Sequence, residues 1–181
     1  PGQLEKQLPL FNDPNVGLVY GKYLVYDDDR LQTRIPLFYL KEFPTGNITD
    51  ELLRNYVVSI LTTIIRRDAY YSVNRFEPKY HIIGDFDLCI KVSLKWNIEC
   101  VQEYIAFYRE HLNSESMKRK DKYIEELSIW YKDNYNDLRK YHNLLYINSL
   151  TIFENILLLL NSKNYRFLLN TIFDNHHSIN Y

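Results

Sequence analysis

Two carboxylates, Asp85 and Asp87, follow a glycine in the stretch His81-Ile-Ile-Gly-Asp-Phe-Asp-Leu88, and the amphipathic run that continues to Trp96 predicts that a helix begins there. A carboxylate in the first turn of a helix lies close to unpaired backbone N–H groups and to the positive end of the helix dipole, which favours its ionised form. An ionised carboxylate with a fixed direction can act as a general base. Acidic residues also commonly cap helices at this position, so the residues alone leave capping and catalysis both open.

The composition is that of a folded protein without a strong charge bias. The 181 residues are 46% hydrophobic and 25% charged, and the formal net charge is −1. This balance supports a buried core and provides no overall field that would attract nucleic acid. The two cysteines, Cys89 and Cys100, form neither a CxxC pair nor a disulfide framework, which indicates a reducing compartment. The polar N-terminal residues predict no signal peptide, and no apolar run approaches the roughly 20 residues of a membrane-spanning helix. We therefore expect a cytoplasmic protein with no transmembrane segment and no nucleic-acid partner.

The elements that must position the two carboxylates alternate between helices and strands. The hydrophobic patterns predict strands over residues 16–26, 57–65 and 98–108, the second of them central in a sheet, and helices over residues 3–10, 51–55, 66–71 and 85–96. Residues 31–47 carry two prolines and a Gly-Asn pair, which predict a loop. From residue 116 the chain becomes charged and amphipathic, which predicts two or more helices over residues 116–175. The expected architecture is an α/β part, residues 1–115, with a helical C-terminal appendage, residues 116–181.

Four segments resemble, in the same order, the acceptor side of family 2 glycosyltransferases, which are inverting enzymes of the GT-A fold. The segments are Leu4–Tyr20, Ser59–Asp68, Phe76–Leu88 continued by Lys91–Leu94, and Tyr108–His111 with Asn113 beyond it. The third is similar to the family motif of an acidic pair, an aromatic residue, an acidic residue and Leu at the start of a helix, although Gly84 stands where the family often has Glu. The resemblance covers residues 1–115 and includes neither the nucleotide-binding half of the family nor its Asp-x-Asp metal motif. It therefore implies a partial GT-A sheet.

The resemblance implies a glycosyltransferase that moves a sugar from a nucleoside-diphosphate sugar to an acceptor hydroxyl with inversion. The setting would be the synthesis of a cell-surface glycan or polysaccharide, with a glycan or a lipid-linked molecule as the acceptor. Asp85 matches the general base of the family motif. Asp87, two positions further along the helix, would bind the acceptor or orient the loop, and His81 would lie at the mouth of the acceptor site.

The diphosphate and the metal of such an enzyme would be bound elsewhere in the chain. By resemblance, Arg109 and Arg67 would bind the diphosphate, and His111 would be a ligand of the divalent metal, Mg²⁺ or Mn²⁺, of the complete enzyme. The alternative is that Arg109 pairs with a nearby acidic residue and His111 caps a turn. For Arg66 and Arg67 the same two alternatives apply, and we expect one of them to face the site and the other to face the solvent.

Two further hypotheses belong to other classes of protein. The chain could be a non-catalytic remnant or an interaction module of a split glycosyltransferase, or a helical interaction protein that uses the α/β part as a platform. We expect the isolated chain to turn over no sugar nucleotide unless a nucleotide-binding half or a second copy completes it. The basic cluster at residues 117–122 would allow contact with the cytoplasmic face of a membrane.

Overall fold

The computed structural model describes residues 2–28, 30–36, 41–111 and 118–161. Helix α1 (Gln3–Gln7) and a 3₁₀ turn (Leu8–Asn12) lead into strands β1 (Val16–Asp27) and β2 (Gln32–Arg34). Helix α2 (Thr49–Arg54), a second 3₁₀ turn (Ile60–Thr62), strand β3 (Ile64–Ile65) and helix α3 (Arg67–Ser72) follow. The remaining elements are helix α4 (Gly84–Ser93), strand β4 (Asn97–Glu110) and helices α5 (Lys120–Leu138) and α6 (Leu144–Asn161).

Strand β1 lies at the centre of a mixed four-stranded sheet. Strand β4 runs parallel to it along one edge, from the pair Val16 and Asn97 to the pair Asp27 and Glu110. The other edge of β1 pairs antiparallel with β3 near its start and with β2 near its end. The prediction of an α/β protein is thus confirmed. Because β1 and β4 are parallel, their carboxyl ends lie side by side, so residues that follow these two strands come together.

The predicted central strand over residues 57–65 is wrong in extent, because only Ile64–Ile65 forms ladder pairs with β1. Side chains occupy the backbone groups that a longer strand would need. The Thr62 hydroxyl donates to the carbonyl oxygen of Gly21 at 3.0 Å, and the Gln7 amide donates to the carbonyl oxygen of Thr62 at 2.7 Å. Side-chain hydrogen bonds of this kind compete with a sheet ladder and leave the run as a 3₁₀ turn with a short strand.

The other predicted elements agree better with the structure. The two long strands are confirmed as β1 and β4, and the helix that carries the two carboxylates is confirmed as α4, which ends at Ser93. The predicted loop over residues 31–47 contains the short strand β2, and its Gly46 pairs with Ile98 across a single bridge. Helices α5 and α6 lie within the range predicted to be helical, and residues 116–117 and 162–175 lie outside the described part of the chain.

The two C-terminal helices share a core with the sheet. One continuous cluster of buried side chains contains residues from β1, α4 and β4 together with residues from α5 and α6, among them Leu18, Leu88, Ile98, Trp130 and Leu144. The helices therefore pack directly against the α/β part, α5 against α4 and α6 against α2. Within the part of the chain that the structure describes, no helix is both long and apolar enough to cross a membrane.

Candidate functional site

The aromatic residue between the two carboxylates fixes the rotation of helix α4. Phe86 packs edge-on between two rings, at 5.1 Å from the ring of Tyr56 and 4.7 Å from the indole of Trp130, measured between ring centroids. Edge-to-face pairs of this kind stabilise a defined orientation beyond the area that they bury. Because residues two apart on a helix point in directions about 200° apart, Asp85 and Asp87 face different surroundings.

Asp85 lines a pocket of about 250 Å³. The residues around the pocket come from α2, the loop before α4, α4 itself, α5 and α6, and they are Leu52, Leu53, Arg54, Tyr56, Ile82, Ile83, Asp85, Phe86, Tyr123, Leu127, Ile147 and Leu150. Asp85 is half-buried, and one of its carboxylate oxygens accepts the backbone N–H of Phe86 at 2.9 Å. Among the residues that the structure describes, Asp85 forms no ion pair. Its carboxylate is therefore open to a ligand in the pocket.

Burial raises the pKa of Asp85 above its ordinary value of 3.8, although the backbone N–H groups of Phe86 and of Asp85 itself act in the opposite direction. The sequence predicted that the first helical turn would favour the ionised carboxylate. The first turn is as predicted, but the loss of solvent outweighs its effect on the pKa. A carboxylate whose pKa is raised takes up a proton more readily, which suits a general base.

Two further polar groups, Tyr56 and Cys89, interact electrostatically with Asp85. Burial raises the pKa of Tyr56 well above 10, and the neighbouring Cys89 and Asp85 raise it further. The Tyr56 hydroxyl is buried and makes no hydrogen bond of normal geometry with any described residue. Burial also raises the pKa of the Cys89 thiol to about 12. Cys89 is therefore protonated at neutral pH and belongs to the core, not to the reactive groups of the site.

Asp87 points into the core, away from the pocket. It is 2% exposed, accepts the indole N–H of Trp130 at 3.0 Å and forms an ion pair with the Lys91 ammonium at 2.7 Å. Both partners hold Asp87 from within the protein, so this carboxylate orients α4.

Glu126 on helix α5 is the residue that the sequence analysis missed. Its carboxylate accepts the backbone N–H groups of His81, Ile82 and Ile83 at 3.0, 2.8 and 3.2 Å, and Lys122 approaches it to 3.8 Å. Burial on its own would raise the pKa of Glu126, but the three backbone donors and Lys122 outweigh it and the pKa is lowered. One buried carboxylate from the C-terminal region thus fixes the loop that leads into α4.

The remaining predicted acceptor residue, His81, contributes its backbone to this arrangement. Its backbone N–H donates to Glu126, whereas its side chain is exposed and does not line the Asp85 pocket. The imidazole is free to face solvent at the edge of the loop.

Arg109 and His111 lie together at the carboxyl ends of β1 and β4. The Arg109 guanidinium donates through two nitrogens to one oxygen of Asp28, at 2.6 and 2.7 Å, and is otherwise exposed. This hydrogen bond is the largest cause of the lowered pKa of Asp28, to which His111 also contributes. The alternative that Arg109 pairs with a nearby acidic residue is therefore what the structure shows. Arg109 keeps donors that face solvent.

The two arginines before α3 differ in their surroundings. Arg66 donates to the backbone carbonyls of Val16, Phe11 and Asp13 and serves to hold the chain together. Arg67 is exposed, with its guanidinium 5.8 Å from the centre of the Tyr71 ring. Neither Arg67 nor Arg109 lines the Asp85 pocket.

The described residues around His111 do not complete a metal site. Among the described residues, no group of three or more His, Cys, Asp and Glu side chains could hold a metal ion. Asp28, whose pKa His111 helps to lower, is already bound by Arg109. The divalent metal implied by the resemblance thus finds no donor set within the described residues.

Tyrosine side chains lie near Asp85 and near Arg109. Tyr56 lies within electrostatic reach of both Asp85 and Tyr23, and Tyr23 lies within reach of Tyr108, with 6.1 Å between the centroids of their rings. Tyr108 directly precedes Arg109 in β4. Tyrosines therefore occur both next to the Asp85 pocket and next to Arg109.

No family model matches the chain, and no curated protein matches it. The geometry around Asp85 and the resemblance of the sequence are therefore the grounds on which a function can be assigned.

Proposed function

We propose that this chain provides the acceptor side of an inverting glycosyltransferase of the family 2 type, with Asp85 as the general base. The observation that carries the proposal is the setting of Asp85. Its carboxylate lines a pocket, forms no ion pair with any described residue and has a pKa raised by burial. A carboxylate that only capped α4 would need none of these properties, whereas a base requires access to its substrate and an adequate affinity for a proton.

In the proposed reaction the acceptor hydroxyl lies in the pocket with its proton directed at Asp85. The carboxylate takes that proton as the oxygen forms a bond to C1 of the sugar. The bond from C1 to the diphosphate breaks at the same time, and its electron pair leaves with the nucleoside diphosphate. Attack opposite to the leaving group inverts the configuration at C1. General base catalysis of such a step contributes about 10²- to 10⁴-fold to the rate.

The supporting residues take roles that match their surroundings. Asp87 is a positioning residue, because it is bound to Trp130 and Lys91 and so sets the direction of α4. Arg109 and Arg67 present exposed guanidinium groups that would bind the diphosphate. No step is assigned to the divalent metal, Mg²⁺ or Mn²⁺. In a complete enzyme, residues beyond those described would have to bind it together with His111.

The finer parts of the proposal follow from the resemblance. They are a sheet of the GT-A type, action at the cytoplasmic face of a membrane and a place in cell-surface glycan or polysaccharide synthesis. The parallel pair β1 and β4, which ends beside Arg109 and His111, is compatible with a phosphate site at the carboxyl ends of parallel strands.

A second candidate, a non-catalytic interaction module, is favoured by one surface. Strand β4 exposes three aromatic side chains, Tyr104, Phe107 and Tyr108, and Phe107 is 64% exposed. Aromatic residues of this kind are enriched in protein interfaces. The second candidate predicts a partner protein that binds β4 and requires no chemistry at Asp85.

The experiment that tests the proposal is an assay of the full-length natural protein with a panel of nucleoside-diphosphate sugars. We expect one donor to release its nucleoside diphosphate in proportion to glycoside formed. Proton NMR of the first product should show the anomeric configuration opposite to that of the donor. A product that retains the donor's configuration, or no sugar transfer from any donor, would contradict the proposed function.

A further inference from the structure

The pocket that Asp85 lines has a mostly apolar wall. Leu52, Leu53, Ile83, Phe86, Leu127 and Leu150 supply most of it. Four of these side chains, Leu52, Leu53, Ile83 and Leu127, are also part of the buried core, so the wall is held in place by the packing of α2, α4 and α5. The wall is therefore a largely apolar surface, held in place by core packing, next to one carboxylate.

Among the residues that the structure describes, few polar groups face this cavity. Apart from Asp85, the lining includes the exposed side chains of Arg54 and Tyr123 and the ring of Tyr56, whose hydroxyl is itself buried. A sugar ring carries several hydroxyl groups, and each one buried without a partner costs free energy. A sugar seated here could satisfy one hydroxyl at Asp85 and would leave most of the others against leucine and isoleucine side chains.

The size of the cavity fits a small apolar group. Its volume is about 250 Å³, whereas an apolar cavity of about 150 Å³ is sufficient to bind benzene. There is room for one ring or for a short alkyl chain next to the Asp85 carboxylate.

From these observations we infer that the molecule bound beside Asp85 carries its hydroxyl on an apolar body, an alkyl or aryl alcohol. This inference rests on the proposed function for the role of the hydroxyl as the acceptor, and it narrows the class of acceptor. The hydroxyl donates to Asp85 and the apolar body fills the space between α2, α4, α5 and α6. A glycan acceptor would contact this pocket only through such an apolar portion.

The test uses ligand-detected NMR to measure how tightly the full-length protein binds a homologous series of straight-chain alcohols, from n-propanol to n-hexanol. Each methylene buried in the cavity should tighten binding about fourfold until the cavity is full. Glucose at the same concentrations should not bind or compete. An affinity that does not rise with chain length, or glucose that displaces hexanol, would overturn the inference.

Two variants assign the binding to this pocket. Leu150→Phe places a larger side chain in the cavity and should weaken hexanol binding at least about tenfold. Ile152→Phe on the same helix adds the same ring at an exposed position outside the lining and should leave binding unchanged. Equal binding by both variants would place the alcohol elsewhere and overturn the inference. If Leu150→Phe does not fold, the chain-length series still decides.

The inference and the proposed function can fail separately. If alcohol affinity rises with chain length but the protein transfers no sugar, the apolar pocket is supported and the proposed transferase activity is contradicted. If the protein transfers sugar to glycans but binds no alcohol, the transferase activity is supported and the apolar acceptor is contradicted.

Discussion

The indole N–H of Trp130 donates to the Asp87 carboxylate across 3.0 Å, between residues that are 43 positions apart in the chain. Trp130 lies on α5 and Asp87 on α4, and both side chains are almost completely buried. The bond joins the C-terminal helical region to the helix that carries Asp85. The direction in which Asp85 points therefore depends on α5 as well as on its own helix.

Replacement of Asp87 by asparagine should destabilise the protein. The amide side chain of the Asp87→Asn variant would keep an acceptor for Trp130 but would leave the Lys91 ammonium without its carboxylate, so we expect a loss of about 2 kcal/mol in the free energy of unfolding. Urea denaturation at pH 7 measures it. Asp121→Asn, at an exposed first-turn position of α5, is the matched control and should lose only about 0.5 kcal/mol, the effect of one exposed charge on the helix dipole. An Asp87→Asn protein as stable as the wild type would contradict the positioning role.

Glu126→Gln should lower stability in a manner that depends on pH. The pKa of Glu126 is below its ordinary value of 4.5, so its ionised form stabilises the fold above that value and the contribution is lost as pH falls through the lowered pKa. We expect a loss of about 2 kcal/mol at pH 7, because three backbone donors lose a charged acceptor, and a smaller difference at pH 3. Urea titrations at the two pH values test this. The neighbouring Glu125 is exposed, so the Glu125→Gln variant should be as stable as the wild type at both pH values. If Glu126→Gln loses the same free energy of unfolding at pH 3 as at pH 7, the prediction is contradicted.

Local patterns in the sequence were sufficient for the elements that carry the site but not for the contacts between them. Strands β1 and β4 and helix α4 follow from β-rich and amphipathic runs. The contacts of Glu126 with the loop before α4 cross more than 40 residues, and no local rule predicts such a pairing. One signal was present. Glu126 lies among Ile124, Leu127 and Trp130, which are buried residues of α5, so a carboxylate at this position needs buried partners.

The extent of β3 shows the limit of β propensity. The run at residues 57–65 is rich in β-branched residues, yet hydrogen bonds from Gln7 and Thr62 side chains shorten the strand to two residues. Gln7 is distant in sequence, so its competition with the sheet ladder could not be predicted from the run itself.

Arg109→Ala should separate diphosphate binding from stability. The ion pair with Asp28 is exposed to solvent, so its loss should not measurably change unfolding. If Arg109 binds the diphosphate, the KM for the sugar nucleotide should rise about tenfold or more, the effect of one lost charged contact. Steady-state kinetics of the full-length protein measure this. Arg30→Ala is the control, because Arg30 is exposed and pairs with Asp27 in the same turn region. An unchanged KM in Arg109→Ala would exclude the assigned role.

The rate of transfer should fall on the acidic side at a pH above 3.8. Burial raises the pKa of Asp85, so the carboxylate takes up a proton at a pH at which an exposed aspartate is still ionised, and the base is lost as pH falls through that raised value. The pH profile of kcat/KM reports this group in the free enzyme. An acidic limb centred at or below 3.8 would indicate a different base.

The most direct test of Asp85 as the base is to measure sugar transfer and unfolding on the same full-length Asp85→Asn protein. Because burial disfavours the ionised carboxylate, its replacement by a neutral amide should leave the free energy of unfolding at pH 7 at least as high as in the wild type. The rate of transfer should fall by about 10²-fold or more, since an amide cannot accept the proton. An Asp85→Asn protein that is less stable and transfers sugar at the wild-type rate would show that this carboxylate is a helix cap and not a base.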